Sequence, residues 1–188
     1  MTNHKRAEGP DTLQLQLADE AATIELGGRL AATLAPGLKI YLHGDLGAGK
    51  TTLSRAMLQA LGHTGRVKSP TYTLVEVYGL SRLNLYHFDF YRFRDAQEWR
   101  EAGFSDYFGG DAVCLVEWPE KAGDDLPPPD IDIFIEMVGG DGINAGDNAV
   151  GIEVLSTERR HVQIHARTPQ GQRCVAFLTA SYSHANSS

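Results

Sequence analysis

The chain is poor in cysteine, in net positive charge and in long apolar runs, and each shortage closes off a class of protein. Its two cysteines among 188 residues, Cys114 and Cys174, lie far apart and fit neither a C-x-x-C redox pair nor a zinc spacing. Both read as reduced packing residues of a cytoplasmic protein. No apolar run approaches the roughly 18 residues that cross a bilayer, and the polar opening Met1 to Asp11 lacks the apolar segment of a signal peptide. The expected location is the cytoplasm, without membrane attachment. Lys and Arg number 17 against 24 Asp and Glu, a net charge of −7, which argues against a surface that grips nucleic acid by neutralising phosphates. The seven histidines show no metal spacing, and no N-K-x-D guanine-reading element occurs.

What is present is a phosphate-binding loop. Gly44-Asp45-Leu46-Gly47-Ala48-Gly49-Lys50-Thr51 matches G-x-x-x-x-G-K-[ST] in full. Before it, Leu38 to His43 reads as a strand with Ile40 and Leu42 on one face. After it, Thr52 to Leu61 reads as a helix with Leu53, Met57, Leu58 and Leu61 in one stripe and Gly62 as its stop. Glycines at 44, 47 and 49 let backbone N–H groups turn inward, and the helix N-terminus adds partial positive charge for a polyphosphate. In this pattern Lys50 reaches the β- and γ-phosphates and the Thr51 hydroxyl ligates Mg²⁺.

With 42% hydrophobic and 22% charged residues, the chain suits one α/β domain, expected over 12–180 between disordered tails at 1–11 and 181–188. Thr12 to Leu17 alternates as a strand, and Asp19 caps a helix through Leu34, with Ala22, Leu26 and Leu30 on one face. The polar Ser69-Pro70-Thr71 loop runs into a strand ending at Tyr78, which pairs as a hairpin with Leu83 to Asp89. Asp95 caps a short helix that stops at Gly103. Ala112 to Val116 is apolar throughout, the signature of a strand buried on both faces. Strands follow at Ile131 to Val138, 150–155 and His161 to Ala166, then a terminal element at Arg173 to Leu178. The Gly-rich acidic stretch 139–148 reads as a mobile loop. Together these predict an α/β domain: a three-layer P-loop NTPase fold with a mixed, largely parallel central sheet and antiparallel edge strands.

A phosphate-loop enzyme needs an acid at a second strand end, and two are offered. Glu117 ends the buried strand at the sheet's carboxyl edge, where ligands of open α/β folds bind, and is assigned to the metal. Asp89 is assigned to the attacking water. The plainer readings are a solvated strand-end charge and a turn residue paired with Arg92. Ser69 and Thr71 sit where a γ-phosphate sensor would lie, or simply in a turn held by Pro70. Trp118 stacks on a base or a partner, or packs as a buried aromatic. His87 reads as structural.

Four segments in order, Gly44 to Thr52, Val67 to Val75, Tyr86 to Arg92 and Cys114 to Pro119, resemble the successive motifs of the TsaE (YjeE) family. That family comprises small bacterial ATPases of tRNA N6-threonylcarbamoyladenosine formation at position 37. The resemblance runs from about Leu17 to Pro129. It implies that Gly47, Ala48, Gly49, Lys50, Thr51 and Thr52 bind the phosphates of ATP. It also implies that Thr51 and Glu117 hold Mg²⁺, that Asp89 is required for hydrolysis beside Lys50 and Thr52, and that Glu20 lies near the adenosine. Ser69, Thr71 and Trp118 complete the expected nucleotide contacts, the Ser69 to Thr71 segment acting as a nucleotide-responsive switch. The implied partners are TsaD and TsaB, whose threonylcarbamoyl transferase heterodimer is reset by ATP turnover. tRNA is expected to touch this chain only indirectly or weakly, and the free chain to be a monomer or to self-associate weakly. Any basic nucleotide contact in the C-terminal part falls to Arg159 or Arg160.

Two other functions fit the phosphate loop. One is a small-molecule P-loop kinase, with Arg92, Arg94 and Arg100 read as a lid. The other is a GTP-regulated switch, for which Asp106-Tyr107-Phe108-Gly109 is a formal D-x-x-G match.

Overall fold

The structure is a computed structural model and describes residues 6–8, 11–138 and 159–185. Alternation places Leu38, Ile40 and Leu42 on one side of β3 (Lys39–His43) and Tyr41 on the other. β6 (Val113–Glu117) divides likewise, Val113 and Leu115 facing one core and Cys114 and Val116 the other, so the all-apolar run is buried on both faces as expected. The remaining strands are β1 (Arg6–Glu8), β2 (Thr12–Leu17), β4 (Val75–Gly79), β5 (Asn84–Asp89), β7 (Ile131–Val138) and β8 (Arg159–Ala166). They form one sheet in the order β1-β2-β8-β7-β3-β6-β5-β4.

Among the described residues four α-helices join them. In α1 (Glu20–Ala31) the Asp19 carboxylate accepts from the Ala22 N–H at 2.8 Å, the expected cap. α2 (Lys50–Ala60) follows the phosphate loop. α3 (Ala96–Glu101) is capped by Asp95, whose carboxylate accepts from the Gln97 N–H. α4 (Pro169–Ala185) closes the chain. Leu26, Leu30, Leu53, Met57, Val175 and Leu178 bring α1, α2 and α4 to the core on one sheet face. On the other face Phe88 packs tilted or edge-on against Phe90, Phe104, Tyr107 and Phe108, with Trp99 of α3 beside them.

The sheet is mixed as expected: the central strands β7, β3, β6 and β5 run parallel, while the outer pairings β1–β2, β2–β8, β7–β8 and β4–β5 are antiparallel. At the β4–β5 hairpin a short turn closed by the Leu80 N–H on the Leu83 carbonyl can only reverse the chain. Two expectations change. Within the expected N-terminal tail, Arg6–Glu8 pairs with β2, a backbone ladder that needs no apolar pattern. At the other end α4 runs to Ala185, because Cys174, Leu178 and Tyr182 continue one buried stripe and the Arg29 guanidinium covers the Tyr182 ring at 4.4 Å. The Gly-rich stretch 139–148 and the strand expected at 150–155 lie outside the described residues.

Candidate active site

β3 lies between β7 and β6, and the register sets Leu42 opposite Glu117 and Glu117 opposite Asp89. Three adjacent strand ends therefore deliver the phosphate loop and both acids to one carboxyl edge. Gly44 sits at φ 138°, and a Cβ there would meet the Ile135 carbonyl oxygen at 2.2 Å, so only glycine fits. Gly49, the N-cap of α2, has φ 113° and no side-chain cap, which leaves the first N–H groups of the helix for a ligand.

Glu117 is 2% exposed. The Thr51 hydroxyl lies 3.0 Å from both of its carboxylate oxygens, the Ser54 hydroxyl 3.4 Å from Oε1, and His87 Nε2 2.9 Å from Oε1. His87 is fully buried and its Nδ1 has no partner. Facing a carboxylate oxygen, which only accepts, Nε2 is the donor of this contact.

Asp89, equally buried, has a different set of donors. The hydroxyls of Ser69 and Thr71 both reach its Oδ2, Thr71 at 2.6 Å, and the Tyr91 N–H donates to Oδ1 at 2.9 Å. Arg92 instead lies over the Tyr72 ring at 4.0 Å, so the turn-residue pairing with Asp89 is not formed.

The Lys50 ammonium donates to the carbonyls of Gly44 and Asp45 and lies 3.9 Å from the Trp118 ring centroid. Burial lowers its pKa, opposed by the carboxylates of Glu117, Glu120, Asp89 and Asp45. Trp118 itself adopts φ 59° and packs its ring against Tyr91 at 5.1 Å. Thr52 donates to Glu20 at 3.3 Å, which ties the end of α1 nearest the loop to α2. Leu46, Lys50, Thr51, Asp89, Glu117 and Trp118 are among the residues lining a cavity of about 270 Å³, to which Gly47, Gly49, Thr52, Ser69, Thr71 and Tyr91 also contribute.

The model of the family described as threonylcarbamoyl adenosine biosynthesis protein TsaE matches residues 17–142. The chain belongs to the TsaE family. The tRNA threonylcarbamoyladenosine biosynthesis protein TsaE of Haemophilus influenzae is 46% identical over 151 residues, covering 78% of this chain and 90% of that protein. Its counterpart from Bacillus subtilis is 42% identical over 137 residues, 71% of this chain and 85% of that one. The crystal structure of Bacillus subtilis YdiB superposes with a TM-score of 0.69 at 25% identity, covering 98% and 99% of the two chains.

In this TsaE chain the predicted site residues from Gly47 to Thr52, with Ser69, Thr71, Asp89, Glu117 and Trp118, gather around or beside one cavity; Ala48 is buried beneath it and Glu20 reaches it only through Thr52. Sequence reasoning missed two supports. One is His87, structural as expected but with a contact the sequence reading did not name: standing two residues before Asp89 on one strand face, it reaches the neighbouring strand's Glu117. The other is Arg160, one of the two arginines named for any basic nucleotide contact, whose Nε donates to the Ala48 carbonyl at 2.9 Å and braces the loop from β8. Nothing local in the sequence joins positions 112 residues apart.

The donor sets suit Mg²⁺ and a polyphosphate. A buried carboxylate and a hydroxyl are hard oxygen ligands, too few for an all-protein cage and suited to a metal that keeps waters and phosphate oxygens.

Just before the loop, His43 Nε2 lies 2.8 Å from Asp132, whose other oxygen accepts from Arg167 at 2.7 Å, and His43 Nδ1 lies 3.6 Å from Glu120. Burial disfavours the charged imidazole, but the hydrogen bonds to Asp132 and Glu120 outweigh it and raise the pKa above 6.5. A raised folded pKa gives stability that is complete below 6.5 and is lost as pH rises through the folded value. Urea titrations should therefore show the advantage of wild type over His43→Gln shrinking from acidic to mildly alkaline pH; a constant difference would contradict this network.

His87→Leu should cost about 1–3 kcal/mol of stability by removing a donor from buried Glu117. His87→Gln, whose amide nitrogen reaches the same place, should recover most of it. Equal loss in both variants by urea denaturation would show that ring packing alone matters.

Proposed function

We propose that this chain is an Mg²⁺-dependent ATPase, built on a three-layer P-loop NTPase fold, that acts in the cytoplasm on the TsaD–TsaB threonylcarbamoyl transferase and resets it between cycles of tRNA N6-threonylcarbamoyladenosine formation. The single observation that supports it most is the convergence of Lys50, Thr51, Glu117 and Asp89 on one cavity, with each acid held by a separate set of donors.

The glycine loop and the N-terminus of α2 receive the triphosphate, and Lys50 exchanges its loop carbonyls for phosphate oxygens. Thr51 and Glu117 would hold Mg²⁺, whose charge neutralises the phosphates. Asp89 orients water for attack on the γ-phosphorus, giving ADP and phosphate, and the Ser69 and Thr71 hydroxyls that now engage it are free to sense the γ-phosphate once they turn. Catalysis is therefore positional and electrostatic, with no covalent enzyme intermediate required.

The kinase reading is less well supported, because Arg92 is engaged on Tyr72 and Arg100 pairs with Asp125 at 2.6 Å, neither placed as a lid. The D-x-x-G match falls on the turn Phe104–Phe108 and Gly109, whose aromatic residues pack into the second core away from the cavity.

Lys50→Ala should weaken ATP binding by about tenfold to a hundredfold, the worth of charge-assisted hydrogen bonds. Asp89→Ala should leave affinity nearly unchanged and lower kcat by about a hundredfold or more. The decisive assay supplies a TsaD–TsaB complex with threonylcarbamoyl-adenylate and tRNA. Multiple turnovers are expected only with this protein and ATP; multiple turnovers without it would reject the reset role.

A further inference from the structure

Beside the nucleotide cavity, and sharing Ser69 with it, lies a larger groove of about 570 Å³ between the stretch 63–73 and β4. β4 is the last strand of the sheet, and among the described residues nothing pairs with its outer edge. The ladder fixes which groups face outward. Asp89 donates to the Leu74 carbonyl and Leu80 to that of Leu83, so the hydrogen-bonded pairs with β5 fall at even positions of β4. In an antiparallel pair these alternate with residues whose N–H and C=O point away, here Val75, Val77 and Gly79. Val77 also leaves an apolar, β-branched side chain 58% exposed, an unguarded edge of the kind that proteins ordinarily blunt.

The groove's charge runs against that of the chain. His63, Arg66 and Lys68 line it, and Arg92 adds its guanidinium on Tyr72. The one acid there, Glu76, is turned to the Thr73 hydroxyl at 3.2 Å. On a chain of net charge −7 this is a local basic strip alongside an open strand. Donors and acceptors that alternate at strand spacing complement another polypeptide backbone, whereas a phosphodiester only accepts and would leave the outward carbonyls unmatched.

We propose that β4 docks an extended segment of a partner protein in which acidic and apolar side chains alternate. The segment adds as a ninth strand, its acidic side chains on the sheet face of Glu76 and Tyr78 toward Arg66 and Lys68, and its apolar ones on the alternate face with Val77, which itself borders the groove. Because Ser69 borders both cavities and bonds Asp89, the bound strand also biases the nucleotide site, a coupling that rests on the proposed ATP binding.

The probe is a synthetic peptide of alternating Val and Glu, read by amide hydrogen exchange on the full-length protein. Exchange at Val77 and Gly79 should slow by about tenfold or more on saturation, while Tyr78, already bonded to β5, changes little. An alternating Val and Lys peptide should bind at least about tenfold more weakly, as should the paired variant Arg66→Glu with Lys68→Glu. Val77→Pro removes one outward N–H and leaves the inner ladder bonds, so it should abolish addition while Tyr78 stays protected. No slowing, equal slowing with the lysine peptide, protection by polyuridylate RNA, or protection that rises with protein concentration without peptide would each overturn the docking proposal. Mg-ATP should change peptide affinity and the peptide should change Mg-ATP affinity by the same factor. ATP that binds without such coupling removes the link through Ser69; ATP that fails to bind at all removes the proposed function but leaves the strand addition standing.

Discussion

The site depends on the hydrogen bonds that surround the Glu117 carboxylate inside the protein. An unpaired buried charge costs several kcal/mol unless neighbouring groups replace its water. Here the substitutes come from two directions: Thr51 and Ser54 from the first turns of α2, and His87 from the strand beside β6. No one of these elements can shift without stripping donors from a carboxylate that is 2% exposed. The phosphate loop is thereby clamped to the sheet at its helical end, while Arg160 holds the Ala48 carbonyl from the opposite side.

The two acids stand in adjacent register, yet their surroundings give them different freedoms. Every side chain bonded to Glu117 projects from a helix or a strand. Asp89 is held by hydroxyls of the irregular Ser69-Pro70-Thr71 segment and by the N–H two residues ahead. The first arrangement suits a fixed ligand, the second a group whose hydrogen bonds exchange when a phosphate arrives. Lys50 belongs to the second kind, its ammonium resting on backbone carbonyls and the Trp118 face that a phosphate can outcompete.

The phosphate loop, its helix and the buried β6 were legible because each is written locally, in a motif or a period. Asp19 and Asp95 announced helix starts for the same reason. The parallel centre with antiparallel edges was legible as well, in the two-sided burial of β6 and the short turn of the β4–β5 hairpin. The part played by His87 was not: alternation put it on the face of Asp89, but only the β5–β6 register brings it to Glu117. α4 outran its expected end because Tyr182, an isolated aromatic in a polar sequence, finds a buried place under Arg29 that only the fold supplies.

Among the described residues, only Leu74 and Trp118 hold positive φ without being glycine; Trp118 lines the cavity and Leu74 bonds the Asp89 backbone. Such backbone costs of order 1–3 kcal/mol and persists only where surrounding contacts impose it. At Leu74 the imposed contacts are visible. Its N–H donates to the Pro70 carbonyl at 2.6 Å, and its carbonyl accepts from the Asp89 N–H at 3.1 Å. One strained residue thus joins the segment that carries Ser69 and Thr71 to the strand end that carries Asp89, and the chain leaves it directly into β4. The hydroxyls on Asp89 and the start of the edge strand therefore lie on one short run of backbone, 69–75, with the Leu74 turn between them. Under the proposed ATP binding, a γ-phosphate that drew those hydroxyls away would act on the same run that the docked strand would extend.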